Sequence, residues 1–132
     1  MKLHHVGIVV PSIDDRLRSY QELYRLALVR PKTHDPLQDV YVAFLQSEDT
    51  KTLLELIEPA SSASPVIGAL KRGGGLNHLC YSVPNLKLAL EDLVAKGSVI
   101  VRPATPAVAF NGRHIAFVYT RLRELVELVE EH

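Results

Sequence analysis

Residues 3–11 read LHHVGIVVP and residues 76–84 read LNHLCYSVP. Each is an apolar strand with a histidine in its third place and Val-Pro at its end. The likeness runs on past the prolines. After Pro11, Ser12 stands ready to cap a helix, Asp14 and Asp15 suit its positive end, and Leu17, Tyr20, Leu23 and Tyr24 follow at helical spacing. After Pro84, Asn85 is the cap, Leu86, Leu90, Leu93 and Val94 share a face, and Gly97 stops the helix. Three extended segments then follow in each half: residues 27–30, 40–45 (VYVAFL) and 52–58 (TLLELIE) in the first, and 98–102, 114–119 (HIAFVY) and 124–130 (ELVELVE) in the second. A duplicated β-α-β-β-β module constrains the fold more than any single motif.

The expected fold is therefore α+β, a single domain over residues 1–132. Repeat one spans residues 1–58 and repeat two spans 76–132, joined by a linker at 59–75. Neither half alone can bury both faces of a four-stranded sheet, so the two are expected to pack as a pair. Within the linker, Ser64 as cap and Pro65 at the first position open a short helix that presents Val66 and Leu70 inward. Gly73-Gly74-Gly75 ends it and reads as a flexible joint, since a glycine triplet that follows a helix lacks the placing of a phosphate loop.

Charge narrows the function. Lys plus Arg equals Asp plus Glu at 15 each, so no overall field draws the chain to nucleic acid or an anionic membrane. Cys80 is the one cysteine, which excludes an internal disulfide framework and suits a reducing compartment. Met1-Lys2 runs straight into the first strand and the apolar run ends at Pro11, too short to span a bilayer. A cytoplasmic protein acting on a small molecule is the expectation.

Strand alternation puts His5, Gly7 and Val9 on one face and His4, Val6 and Ile8 on the other. His5 recurs as His78, whereas His4 becomes Asn77. In the last strands Glu55 aligns with Glu127 and Glu58 with Glu130, and alternation cannot choose between these pairs. Glu55 and Glu127 are flanked on both sides by aliphatics, while Glu58 and Glu130 lie at strand ends. A carboxylate in such a setting is costly unless paired or coordinated, and no lysine or arginine is seen to recur in both halves beside it. The residues alone leave two readings open. Either His5, Glu55, His78 and Glu127 hold a divalent ion with two positions left for water or substrate, suiting Co, Ni, Mn, Fe or Zn, or they are two structural histidines and two edge carboxylates.

With these residues in hand, the chain resembles the vicinal oxygen chelate superfamily, which includes glyoxalase I, methylmalonyl-CoA epimerase, extradiol dioxygenases and fosfomycin-resistance proteins. HHVGIVV, ELIEP, SPVIGALKRGGGLNHLCYSV, NGRHIAF and LVELVE look most like the methylmalonyl-CoA epimerase branch. The resemblance covers essentially the whole chain. It implies paired β-α-β-β-β modules in a cup-shaped mixed sheet, metal ligands at His5, Glu55, His78 and Glu127, and a homodimer. Two places depart from that branch. Tyr119-Thr120-Arg121-Leu122-Arg123 leads directly into Glu124 where epimerases commonly carry a His-Pro-Lys-Ser type of loop, and Val42 stands where some epimerases have a basic glutamate.

The chemistry so implied is proton movement next to a carbonyl through a metal-stabilised enolate, with Glu55 and Glu127 as the catalytic carboxylates. The substrate expected is an acyl-CoA, a hemithioacetal or a related α-oxo compound. A glyoxalase I type of lactoylglutathione lyase is the alternative enzyme, and a metal-free drug-binding protein is the alternative from outside enzymology. Asn111, Arg113 and His114 form the polar cluster nearest the second half's strands and are the candidate substrate contacts. His34 is read as a loop residue.

Overall fold

The computed structural model describes residues 1–132. In chain order the elements are β1 (Lys2–Val9), α1 (Ile13–Tyr24), β2 (Ala27–Asp35), β3 (Val40–Gln46), β4 (Leu53–Pro59), α2 (Ile67–Lys71), β5 (Gly75–Val83), α3 (Leu86–Ala95), β6 (Val99–Pro106), β7 (His114–Tyr119) and β8 (Leu125–Glu130), with a 3-10 turn at Val108–Phe110. The chain divides into two compact units. One is residues 5–77; the other joins residues 1–4 to 78–132.

Within residues 5–77 the strand order is β2-β3-β4-β1. The first two pairings are antiparallel, and β1 lies parallel to β4 with Gly7 opposite Glu55. Ser12 caps α1 by accepting from the Asp15 amide at 3.2 Å. The helix seats Ile13 on a core of Val10, Ala43, Leu45 and Leu56, with Leu17 and Tyr20 at its edge. Of the face read from the sequence, Leu17 and Tyr20 meet this core, whereas Leu23 and Tyr24 at the end of the helix are exposed.

The other unit repeats this plan with β6-β7-β8-β5, where β5 is parallel to β8 and Cys80 is opposite Glu127. Asn85 Oδ1 accepts from the Leu88 amide at 3.0 Å, and α3 lays Leu86 and Leu90 on Val83, Ala116, Val118, Val126 and Leu128. Burying each such side chain is worth about 2 kcal/mol, so one helix face anchors each sheet. No helix is long and apolar enough to cross a membrane.

Two strands run further than their sequence pattern. β2 continues through His34, which pairs with Tyr41 in register and lies with its ring 4.9 Å from the Tyr41 ring, so His34 is a strand residue rather than a loop residue. β6 likewise continues to Pro106. Both are edge strands, where Pro31 and Pro103 forfeit no ladder hydrogen bond, and both slip register at the proline. The linker also differs. Ser64 and Pro65 form a turn, its Oγ accepting from the Val66 amide at 3.4 Å, and α2 begins only at Ile67.

The glycine triplet is a defined corner rather than a loose joint. Gly73, Gly74 and Gly75 all have positive φ, at 112°, 69° and 89°. A Cβ on Gly74 would lie 2.7 Å from the Val9 carbonyl oxygen, a distance that only a hydrogen atom allows.

Candidate functional site

Each unit builds the same small constellation on one sheet face. In residues 5–77, Glu55 on β4 lies between Gly7 on β1 and Phe44 on β3, and His5 is two residues from Gly7 on that face. The His5 Nε2 stands 3.3 Å from Glu55 Oε1, with the imidazole wholly buried and the carboxylate 7 % exposed. The Phe44 ring meets the imidazole edge-to-face at 5.3 Å and 81°. In the other unit, His78 Nε2 stands 3.5 Å from Glu127 Oε1, and Phe117 meets His78 at 5.3 Å and 87°. The repeated histidines and glutamates are legible in the sequence; the two phenylalanines that fix the planes of the imidazoles emerge only from the sheet register.

The structure separates the two candidate glutamate pairs by what each touches. Glu58 Oε1 accepts from the Ile13 amide at 2.7 Å and Glu130 Oε2 from the Leu86 amide at 2.8 Å. They complete the N-termini of α1 and α3, where a carboxylate meets amides that lack helical partners. Glu55 and Glu127 are the buried ones, at 5 % and 2 % exposure, on the opposite face of the same strands.

The donor set fits a divalent ion. A neutral imidazole nitrogen and a carboxylate oxygen that each bind an ion at about 2.1 Å, at right angles, sit about 3 Å from each other. The separations of 3.3 and 3.5 Å are near that and longer than the usual N–H···O hydrogen bond of about 2.9 Å. Imidazole with carboxylate is also the mixture preferred by Co, Ni, Mn, Fe and Zn.

A cation does recur in both halves, contrary to the expectation from sequence. Arg30 on β2 pairs in register with Phe44, and Arg102 on β6 with Phe117. Each arginine therefore shares the face of its glutamate, two strands away. The signal lies in Arg30-Pro31-Lys32-Thr33 and Arg102-Pro103-Ala104-Thr105, hidden because a proline argues against continuing a strand through it.

The three candidate substrate contacts have separate places. Asn111 ends the 3-10 turn in the left-handed conformation. Arg113 donates from Nη1 to the Glu130 carbonyl at 3.1 Å and from Nε to the Phe110 carbonyl at 3.4 Å, with its guanidinium over the Phe110 ring. His114 lies, with Glu130, in the wall of a cavity beside α3.

Comparison with known proteins adds to this geometry. The model of the Glyoxalase/Bleomycin resistance protein/Dioxygenase superfamily matches residues 4–117. Over 98 % of its length the chain is 29 % identical to the mitochondrial methylmalonyl-CoA epimerase of Dictyostelium discoideum, covering 78 % of that protein. It is 37 % identical to YqjC, an uncharacterized protein of Bacillus subtilis, over 98 % of the chain and 91 % of that protein. The crystal structure of methylmalonyl-CoA epimerase from Mycobacterium tuberculosis superposes with a TM-score of 0.86 at 26 % identity, covering 99 % of this chain and 88 % of that one.

Proposed function

The chain belongs to the glyoxalase/bleomycin resistance/dioxygenase superfamily, and from that premise we propose that it is a metal-dependent epimerase of the methylmalonyl-CoA type. It would move a proton at the carbon next to a thioester carbonyl. The observation that carries this reading is the buried His–Glu pair, present once in each repeat at nearly the same separation, in a chain whose relatives along nearly its whole length include epimerases.

His5, Glu55, His78 and Glu127 would together hold one divalent ion, each repeat supplying half of the ligands. When bound, such an ion lends Lewis-acid polarisation to an acyl oxygen and so acidifies the neighbouring C–H. The remaining work falls to side chains. Val42 is buried between Thr33 and Ile57 in register and offers no group that transfers protons, so Glu55 and Glu127 are the groups to take the proton from the acidic carbon and to return one. Phe44 and Phe117, packed edge-on against the imidazoles, hold the histidines in place and keep water from the reacting carbon. A homodimer in a reducing compartment, the setting that the lone thiol of Cys80 suits, completes the reading.

The test is exchange of the α proton of methylmalonyl-CoA in deuterated water, with protein loaded with Co or Mn. Deuterium should enter the acidic carbon and the two epimers should equilibrate. Formation of lactoylglutathione from methylglyoxal and glutathione, with no exchange on the acyl-CoA, would replace this reading with the lyase.

A further inference from the structure

The helix-covered side of each unit presents a second pair of equivalent places, and there the two repeats differ. In residues 5–77 the side chain of Lys32 lies in the groove between α1 and the edge of the sheet. Its ammonium is 3.1 Å from Asp14 Oδ2 and 3.6 Å from Glu58 Oε2, and 4.7 Å above the Tyr41 ring. Glu58 thus uses one oxygen to close the helix N-terminus and the other to receive a cation.

Register and hydrogen bonding identify the matching residues in the other unit. Thr33 and Thr105 each donate to the carbonyl of the proline two residues before, at 2.8 Å, which aligns Lys32 with Ala104. Arg30 opposite Phe44 and Arg102 opposite Phe117 align Tyr41 with His114, and the two caps align Glu58 with Glu130. Where Lys32 fills the first groove, the second has a methyl group. The second groove is left open, with a volume of about 700 Å³, lined by Leu86, Leu90, Val94 and Ile100 and, on its polar side, by His114 and Glu130. That volume is in the range of small-molecule sites. Glu130 gives one oxygen to the Leu86 amide, as Glu58 does to Ile13, and keeps the other for the cavity.

We propose that this cavity binds a primary ammonium carried on an apolar body, the ligand taking the place that Lys32 takes in the sister repeat. Its cation sits at Glu130 beside the His114 ring, and its hydrocarbon part covers Leu90, Val94 and Ile100. The lining also holds Lys87, in the place of Asp14, and Glu91 one turn further along α3, and Glu130 is the carboxylate equivalent to the one that receives Lys32. Val94 and Ile100 are 46 % and 42 % exposed without such a ligand, and covering them supplies the apolar part of the affinity. The site faces away from Glu127, since residues 127 and 130 on β8 alternate to opposite faces.

The probe is 4-phenylbutylammonium, titrated into the protein while the methyl signals of Leu90, Val94 and Ile100 are followed by NMR. Those signals should shift and saturate with a dissociation constant on the order of 1 mM. Glu130→Gln keeps an acceptor for the Leu86 amide but removes the charge, and should weaken binding by about tenfold. Ala104→Lys supplies the cation within the chain; it should abolish binding and raise the melting temperature. Equal binding of 4-phenylbutanol, undiminished binding to Glu130→Gln, or the absence of saturable shifts at the three residues would each overturn the proposal.

Discussion

Replacing Glu127 by glutamine should have opposite effects on the protein with and without metal. Glu127 is 2 % exposed, flanked by Val126 and Leu128 on its strand and by Phe117 across it. Its Oε1 lies 3.5 Å from His78 Nε2, and without an ion a carboxylate this buried carries a desolvation cost that its partners only partly offset. Glutamine has nearly the same shape and carries no charge. Its introduction should stabilise the metal-free protein by about 1–2 kcal/mol. For a chain of this length each kcal/mol moves the melting temperature by about 3–4 °C, so the metal-free variant should melt about 4–7 °C higher than the wild type. In the wild type, a divalent ion at a hundred times its dissociation constant adds about 2.7 kcal/mol, a rise of about 10 °C. The variant lacks one of the four proposed ligands and should show little of that rise. Scanning calorimetry on chelator-treated protein, with and without added Co or Ni, measures all four values. A variant that melts lower than the wild type without metal, and that still gains the full increment with it, would show Glu127 to be one half of a structural ion pair and would refute the reasoning.

Two further perturbations test the scaffold. Gly74→Ala should cost about 2–3 kcal/mol, because a left-handed φ is unfavourable for alanine and its Cβ would press on the Val9 carbonyl, a backbone atom that cannot turn aside; Gly75→Ala, with nothing within 4 Å of its Cβ, should cost only about 1 kcal/mol by urea denaturation. Lys32→Met should lose less than about 1 kcal/mol, since the ammonium is 31 % exposed. The hydrogen bond to Asp14, with help from the charge of Glu58 and against the cost of burial, holds the Lys32 pKa above its ordinary value. The wild type's advantage should therefore be complete below the ordinary lysine range near pH 10 and vanish as the pH rises through the raised value, which paired denaturation curves across that range would detect.

The sequence carried the plan of the fold because both repeats obey strong local rules. Capping residues after Val-Pro, helical spacing and alternation in the strands each map to one element, and those elements form where expected. Alternation could not settle the glutamates, because TLLELIE and ELVELVE place aliphatics on both faces; the aliphatic flanks favoured Glu55 and Glu127, but the deciding fact is which face a helix covers. That is a tertiary fact: α1 and α3 take Glu58 and Glu130 as caps, and the other face keeps Glu55 and Glu127. The edge strands were cut short for a related reason. A proline in sequence argues against a strand, and only a place at the sheet margin, with a register slip, makes Pro31 and Pro103 harmless. Truncating those strands hid the arginines in front of the prolines and the Lys32–Ala104 difference behind them.

Where the repeats agree and where they differ then divides the molecule by task. Histidine, glutamate, phenylalanine and arginine occupy the same register on one face of both units, although Lys32 and Ala104, Tyr41 and His114, and Asp14 and Lys87 part company on the other. Sheet packing alone does not require this. A phenylalanine edge-on to a buried imidazole could be exchanged for leucine in either unit at modest cost, yet both units hold it at the same 5.3 Å. A reaction that inverts one carbon needs a group to remove a proton and a like group to supply one, and in the proposed reaction a duplicated module would provide both from one design. The helix side is under no such demand. There a lysine stem in one repeat and a methyl group in the other, with Tyr41 and His114 beside them, separate a filled groove from an open one, and Glu130 stands in the second where Glu58 meets Lys32 in the first.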